Sequence, residues 1–194
     1  MIKLNYNIVY ENSIKRLNLL SIEKKNKYDE IVKNNGKSNL CKLGKSNKIP
    51  QVGDIFALSY KDGEYYLGKV LESFELYETN VQVIVIYSQV LKDLNVDFEK
   101  FDFKNLLLTP QIVFDGYWKK GFFKNLINIP LTPDDENLDY GFFRMHPLNE
   151  YGYFVDSKAE ELDHIPLFYK IYGVSNIYAI YQSLQIEKLF REKE

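Results

Sequence analysis

Apolar and polar positions in the middle of the chain follow runs of strand length. Two such runs, Asp54–Tyr60 and Glu64–Leu71, flank the tripeptide Lys61-Asp62-Gly63. Asp-Gly adopts the positive φ angles of a tight turn at little steric cost, so the two runs predict a β-hairpin. The next run, Val81–Tyr87, is almost continuously apolar and β-branched, which predicts a strand that is covered on both faces.

Further strands are predicted on both sides of this region. One covers Leu106–Phe114, and because Pro110 has no backbone N–H, this strand should lie at the edge of a sheet or carry a bulge. Short strands are predicted over Tyr140–Phe143 and Tyr151–Asp156. The weak alternation of residues 1–9 predicts an additional edge strand.

Helical spacing appears at the two ends of the chain. Between Asn12 and Gly36, apolar residues recur among Lys, Glu and Asn at intervals that predict a helix of about 18–22 residues, with a break at Ser21 if that side chain caps a second piece. After Ser175-Asn176, the same spacing predicts an amphipathic C-terminal helix. The first helix has a basic exposed face, which usually is only a solvated face; contact with RNA or a membrane is the alternative.

These patterns divide the chain into two parts. Residues 1–48 are predicted to form an N-terminal helical extension that ends in a polar linker, and residues 50–190 a single α+β domain. The predicted fold is a twisted, mostly antiparallel sheet of about five to seven strands with an N-terminal and a C-terminal helix. A barrel-like closure of the sheet is an open alternative.

Composition and charge narrow the classes of function. A net charge of −2 and a pI near 5.8 argue against a general nucleic-acid binder, although not against a local basic patch. The single cysteine, Cys41, excludes an intramolecular disulfide and favours a reducing compartment. We find neither the pattern of a signal peptide nor an apolar run of membrane-spanning length. We therefore expect a cytoplasmic protein without a membrane or nucleic-acid partner.

Residue types that carry catalysis are few and lack catalytic spacing. The two histidines, His146 and His164, are not in a His-x-x-x-His pattern and the chain has no Cys-x-x-Cys, so we predict no metal site and no cofactor. Gly44-Lys45-Ser46 resembles the end of a phosphate-binding loop, but the earlier glycine, the preceding strand and the following helix are missing. No catalytic residue is predicted, and we expect a protein that is not an enzyme.

The segment Pro50–Val70 carries a family resemblance. Its motifs are Val52-Gly53-Asp54-Ile55-Phe56-Ala57-Leu58, Asp62-Gly63-Glu64-Tyr65 and Leu67-Gly68-Lys69-Val70. Further elements follow in a matching order: Val81–Tyr87, Leu106–Phe114, the turn at Trp118, Ile127-Asn128-Ile129-Pro130-Leu131 and Ile171-Tyr172-Gly173-Val174. On these residues the chain resembles, over about residues 50–190, the immunity protein 26 family of bacterial polymorphic toxin systems.

The resemblance implies a cytoplasmic antidote that binds and blocks one cognate toxin, and it carries over no catalytic residues. Two alternatives stay open. The small-barrel ribonucleases of toxin–antitoxin pairs resemble the chain only over Gly53–Leu58, and where they have Arg-Pro this chain has Tyr66-Leu67-Gly68-Lys69. The second alternative is a non-enzymatic adaptor or regulatory module. The sequence leaves the activity of the toxin and the oligomeric state open.

A toxin-neutralising protein works by recognition, and two features suit that role. Because many nuclease toxins have basic clefts, acidic side chains speed encounter, while aromatic side chains hold the complex. We predict a partner-binding surface that combines the acidic segment with the tryptophan turn: Asp134, Asp135, Glu136, Asp139, Tyr117 and Trp118. The alternatives are a merely solvated acidic loop and, for Trp118, packing in the core.

Overall fold

A computed structural model describes residues 4–5, 7–34, 36, 38–61, 63–76, 78–146 and 151–192. Its elements, in chain order, are β1 (Leu4–Asn5), α1 (Asn7–Asn18), α2 (Ile22–Lys33), β2 (Asp54–Lys61), β3 (Glu64–Leu76), β4 (Thr79–Tyr87), β5 (Leu106–Phe114), α3 (Gly116–Lys119), β6 (Phe123–Asn128), α4 (Pro133–Glu136), β7 (Tyr140–Met145), β8 (Tyr151–Val155), β9 (Phe168–Ile171) and α5 (Ile177–Arg191).

The described strands form two sheets. The larger is antiparallel throughout, in the order β5-β4-β3-β2-β6. The smaller has the order β1-β8-β7-β9, and its β7 and β9 run parallel. The predicted α+β fold, with a mostly antiparallel sheet between N-terminal and C-terminal helices, is confirmed. The barrel alternative is wrong, because within the described ranges β5 and β6 lie at opposite edges and do not pair with each other.

Both faces of the larger sheet are buried. Side chains alternate between faces along a strand, and in β2 this places Phe56 and Leu58 on the side of α3 and α5, and Ile55 and Ala57 on the side of the smaller sheet. All four are fully buried. The predicted coverage of both faces of Val81–Tyr87 is confirmed, since every residue from 81 to 87 is buried.

Local predictions within the larger sheet are also confirmed. Pro110 lies in β5, an edge strand, where a missing N–H removes no hydrogen bond to a second neighbour. The hairpin between β2 and β3 pairs Lys61 with Glu64, and Gly63 has a φ of 71°, a left-handed value that glycine adopts without strain. Asp62, the other predicted turn residue, lies outside the described residues.

The N-terminal helix breaks where the sequence predicts. Ser21 is the N-cap of α2, and its side chain accepts a hydrogen bond from the backbone N–H of Lys24. The preceding helix begins at Asn7, earlier than predicted. Of the edge strand predicted over residues 1–9, the described residues show Leu4–Asn5, which pairs with β8.

The helical extension packs against the C-terminal helix. Arg16 of α1 makes a bidentate ion pair with Glu187 of α5, with both N–O distances 2.8 Å, and its guanidinium lies 4.1 Å from the ring centroid of Phe190. From α2, Tyr28 contacts the same Phe190 ring, and the backbone carbonyl of Ile31 accepts a hydrogen bond from Gln182. The extension therefore rests on α5.

Candidate interaction surface

Acidic residues are concentrated in one part of the chain. Residues 130–165 contain nine Asp or Glu and two Lys or Arg, although the whole chain carries a net charge of only −2. This segment includes α4, β7, β8 and most of the connection to β9. The contacts made by each carboxylate decide which of these charges are available to a partner.

Helix α4 is a single turn held by a capping box. The hydroxyl of Thr132 accepts a hydrogen bond from the backbone N–H of Asp135, and the carboxylate of Asp135 accepts one from the backbone N–H of Thr132 at 2.8 Å. Pro133 occupies the first helical position, where its missing N–H costs nothing. The turn presents Asp134 and Glu136 to solvent and directs Asp135 inward.

Asp135 forms a buried ion pair with Lys69 of β3. The Lys69 Nζ lies 2.7 Å from Asp135 Oδ2 and also donates to the carbonyl of Pro130 at 3.1 Å. The two side chains are only 3% and 13% exposed. Burial raises the pKa of Asp135, but hydrogen bonds from Lys69 and Thr132 outweigh burial, so that the net shift is downward. This carboxylate is therefore already used within the protein.

Asp139 is joined to the loop before β9 by a histidine. His164 lies between two carboxylates, with Nε2 2.9 Å from Asp139 and Nδ1 3.0 Å from Asp163. Asp139 also accepts the backbone N–H of Leu167. The two acidic partners, Asp163 first and Asp139 second, raise the pKa of His164, and His164 in turn lowers theirs. We define the acidic surface as four exposed carboxylates, the two on α4 and the two that flank His164: Asp134, Glu136, Asp139 and Asp163.

The His164 contact predicts a measurable pKa. In a ¹H–¹⁵N NMR titration, the imidazole of His164 should titrate above the ordinary histidine value, and Asp139→Asn should lower its pKa because one of the two flanking negative charges is lost. Asp134→Asn is the control, since Asp134 makes no hydrogen bond to the ring. A pKa that responds equally to both substitutions would contradict the contact.

The aromatic half of the predicted surface lies in the core. Trp118 has no exposed surface; its ring packs against Phe56 and Phe123, with centroids 5.1 and 5.0 Å away. Its indole N–H donates to the side-chain oxygen of Asn125, whose amide donates to the buried carboxylate of Asp54. Trp118 is therefore packed in the core, which was the alternative interpretation of this residue.

Tyr117 is also buried, and α3 and α4 are separate in space. Tyr117 is 8% exposed and its hydroxyl donates to the backbone carbonyl of Ser175. Helix α3 precedes β6 and α4 follows it, so the extended strand lies between them, and the five steps of about 3.4 Å between its six residues span roughly 17 Å. The structure does not bring the two sets together, and we remove Tyr117 and Trp118 from the surface.

Sequence reasoning missed Lys69, which decides the role of Asp135. A signal was present: Lys69 shares one face of β3 with Leu67 and Leu71, both in the core between the two sheets. A lysine at an inward-facing position of a buried strand requires a buried partner of opposite charge. Sequence alone could not show which carboxylate that is.

The described residues also form a concave groove that contains cationic side chains. The groove of about 840 Å³ runs between β5, β9 and α5 and includes Arg16, Arg191 and Lys170. Arg16 is bound to Glu187, Arg191 donates to the backbone carbonyl of Leu106, and Lys170 donates to Gln111 and Ser183. Burial lowers the pKa of Lys170 to about 8. These cations link α1, β5, β9 and α5 to one another.

Two kinds of feature are missing from the described part of the chain. Within it, no group of three or more His, Cys, Asp or Glu is placed to hold a metal ion. Among its helices, none combines the length and the apolar character that crossing a bilayer requires.

Fold and surface together define an α+β protein with two packed sheets, terminal helices and a carboxylate-rich exposed surface. The family model of Immunity protein 26 matches residues 51–150, more than half of the chain, and the chain belongs to this family. The match extends from the start of the β2–β3 hairpin to the end of β7, and so includes Lys69, α4 and Asp139. No curated protein and no solved structure matches the chain.

Proposed function

We propose that this protein is a cytoplasmic immunity protein, which binds and neutralises one cognate toxin of a bacterial polymorphic toxin system by protein–protein contact and without catalysis. Membership of the Immunity protein 26 family is the observation that carries the proposal. In bacterial competition, such a protein protects the cell that makes the toxin. The acidic surface is the proposed contact with the toxin.

The acidic surface suits a basic partner because its carboxylates are exposed but stand on a fixed base. Asp134 and Glu136 flank Asp135, whose capping box and ion pair to Lys69 hold the turn in place. Exposed charges of one sign accelerate diffusional encounter with a cleft of the opposite sign, and a rigid arrangement reduces the entropy lost on binding.

Co-expression tests the proposed function directly. The chain is produced together with the C-terminal domain of the toxin encoded by the gene upstream of its own, and growth and co-purification are measured with and without it. Restored growth together with a stable complex is the expected result. A toxic neighbour that this chain neither binds nor neutralises would contradict the proposal for that pair.

Charge reversal tests the proposed surface. We expect Asp134→Lys combined with Glu136→Lys to slow association with the toxin by about tenfold or more at low ionic strength, with a smaller effect at high salt, because steering by exposed charges is screened. Stopped-flow or surface plasmon resonance measures the rate. Neither residue makes the buried ion pair, so folding should be retained.

The matched control changes net charge equally at a distant place. Glu11 and Asp29 are exposed residues of α1 and α2, and Glu11→Lys with Asp29→Lys should leave the association rate nearly unchanged. Equal slowing by both double variants would mean that only net charge matters. Unchanged rates in both would assign the contact to another face.

A further inference from the structure

A second charged surface lies at the corner between α3 and β6, on the far side of β6 from α4. The linker after α2 runs across this corner: the backbone N–H groups of Leu43 and Ser46 donate to the carbonyls of Gly121 and Trp118 at 2.7 and 3.0 Å. A Cβ added to Gly121 would lie 3.1 Å from Gly44, so the backbones are in close contact. Two segments distant in sequence thus share one surface.

Both segments are rich in lysine. Residues 38–48 contain no acidic residue and residues 114–124 contain only Asp115, which is buried and forms an ion pair with Lys119 at 2.8 Å. We define the lysine patch by its five exposed members outside β6, which are Lys42, Lys45, Lys48, Lys119 and Lys120. Four of these have no acidic partner within the two segments.

An aromatic groove adjoins the lysine patch. It has a volume of about 750 Å³, and its lining includes Lys42 and Lys120 together with the rings of Phe114, Phe122 and Tyr178. Phe114 is 40% exposed and Tyr178 is 42% exposed. The Lys42 ammonium lies 5.7 Å from the centroid of the Phe122 ring, at the boundary between groove and patch.

We propose that the lysine patch and this groove bind single-stranded nucleic acid, with phosphates on the lysines and bases stacked on Phe114 and Tyr178. Exposed rings beside a track of cations are the combination that single-strand binders use. An acidic protein is a less suitable partner for the lysine patch. Lysine is depleted in protein–protein interfaces, whereas it commonly binds phosphate as a point charge.

This inference concerns a different surface from the proposed toxin contact and does not depend on it. The acidic surface and the lysine patch lie at opposite ends of β6. Negative charge elsewhere reduces the net charge to −2, so the patch is local and its affinity depends steeply on salt. If about five phosphates are neutralised, raising salt fourfold should weaken binding by about 100-fold.

The test measures fluorescence anisotropy of a labelled oligothymidine or oligouridine of about 12–15 nucleotides, titrated with the full chain at low salt. Lys42→Glu with Lys120→Glu, the two lysines that line the groove, should weaken binding by about tenfold or more. The control, Lys15→Glu with Lys92→Glu, changes net charge equally at exposed sites outside the patch and should have little effect. Thermal melting confirms that each variant is folded.

Further probes identify the kind of partner. Tyr178→Ala should weaken single-strand binding by about fivefold or more, since base stacking is lost, and a duplex of the same length should bind more weakly than the single strand. The proposal is overturned if no oligonucleotide binds at low salt, or if both lysine double variants are equally weakened. It is also overturned if polyglutamate or the duplex competes as well as the single strand.

Discussion

Replacing Asp135 by alanine is expected to lower the free energy of unfolding by about 3–5 kcal/mol, because it leaves the buried ammonium of Lys69 without its counter-charge. The capping box of α4 is lost in the same variant. The neighbouring Asp134 is exposed, and Asp134→Ala should change stability by no more than about 0.5 kcal/mol. Urea denaturation with an unchanged slope measures both values.

Two further measurements identify the ion pair as the cause. Adding Lys69→Met to Asp135→Ala removes the uncompensated charge and should recover part of the lost stability. The pKa of Asp135 is lower in the folded protein than in the unfolded chain. Its contribution to the free energy of unfolding is therefore complete above the ordinary aspartate pKa and is lost as the pH falls through the pKa of the folded state. Asp135→Ala should therefore lose less stability on acidification than the wild type. Equal acid sensitivity in the two proteins would contradict this role.

Trp118→Ala should destabilise the protein by about 3–5 kcal/mol, the cost of deleting a fully buried tryptophan. Trp118→Phe keeps most of the ring volume but removes the indole N–H that donates a hydrogen bond to Asn125. It should lower the free energy of unfolding by about 1–3 kcal/mol. Chemical denaturation of both variants separates the packing contribution from that of the hydrogen bond.

The Trp118→Phe variant also tests whether the tryptophan contacts a partner. Trp118 has no exposed surface, so folded Trp118→Phe should associate with the toxin at the wild-type rate. Reduced association of a variant that is shown to be folded would return Trp118 to the binding surface. Such a result would require that α3 rearranges when the partner binds.

Several elements of the fold follow from neighbouring residues alone. Pro110 requires an edge strand or a bulge because it lacks a donor, Gly63 supplies a positive φ at the β2–β3 turn, and Ser21 satisfies an N–H at the start of α2. The almost continuously apolar run over 81–87 requires cover on both faces. Each of these depends on local backbone chemistry, and the structure confirms each of them.

Closure of the sheet and the strand β9 were not predictable in the same way. Closure depends on how edge strands meet, and here β5 and β6 end up on opposite edges. Strand β9 has four residues, and its pairing with β7 is parallel and distant in sequence, so no local turn marks it.

By itself, the sequence determined that the chain has an α+β core, a break between two N-terminal helices and a concentration of carboxylates between residues 130 and 165. Only the tertiary structure decided what each charge does. Asp134 and Asp135 are adjacent and chemically equivalent, yet β3 brings Lys69 to just one of them. Likewise, the net charge of the chain does not show the lysine patch, which forms only where the linker crosses the α3–β6 corner. Availability to a partner depends on distances and burial, which long-range packing sets and local sequence does not contain.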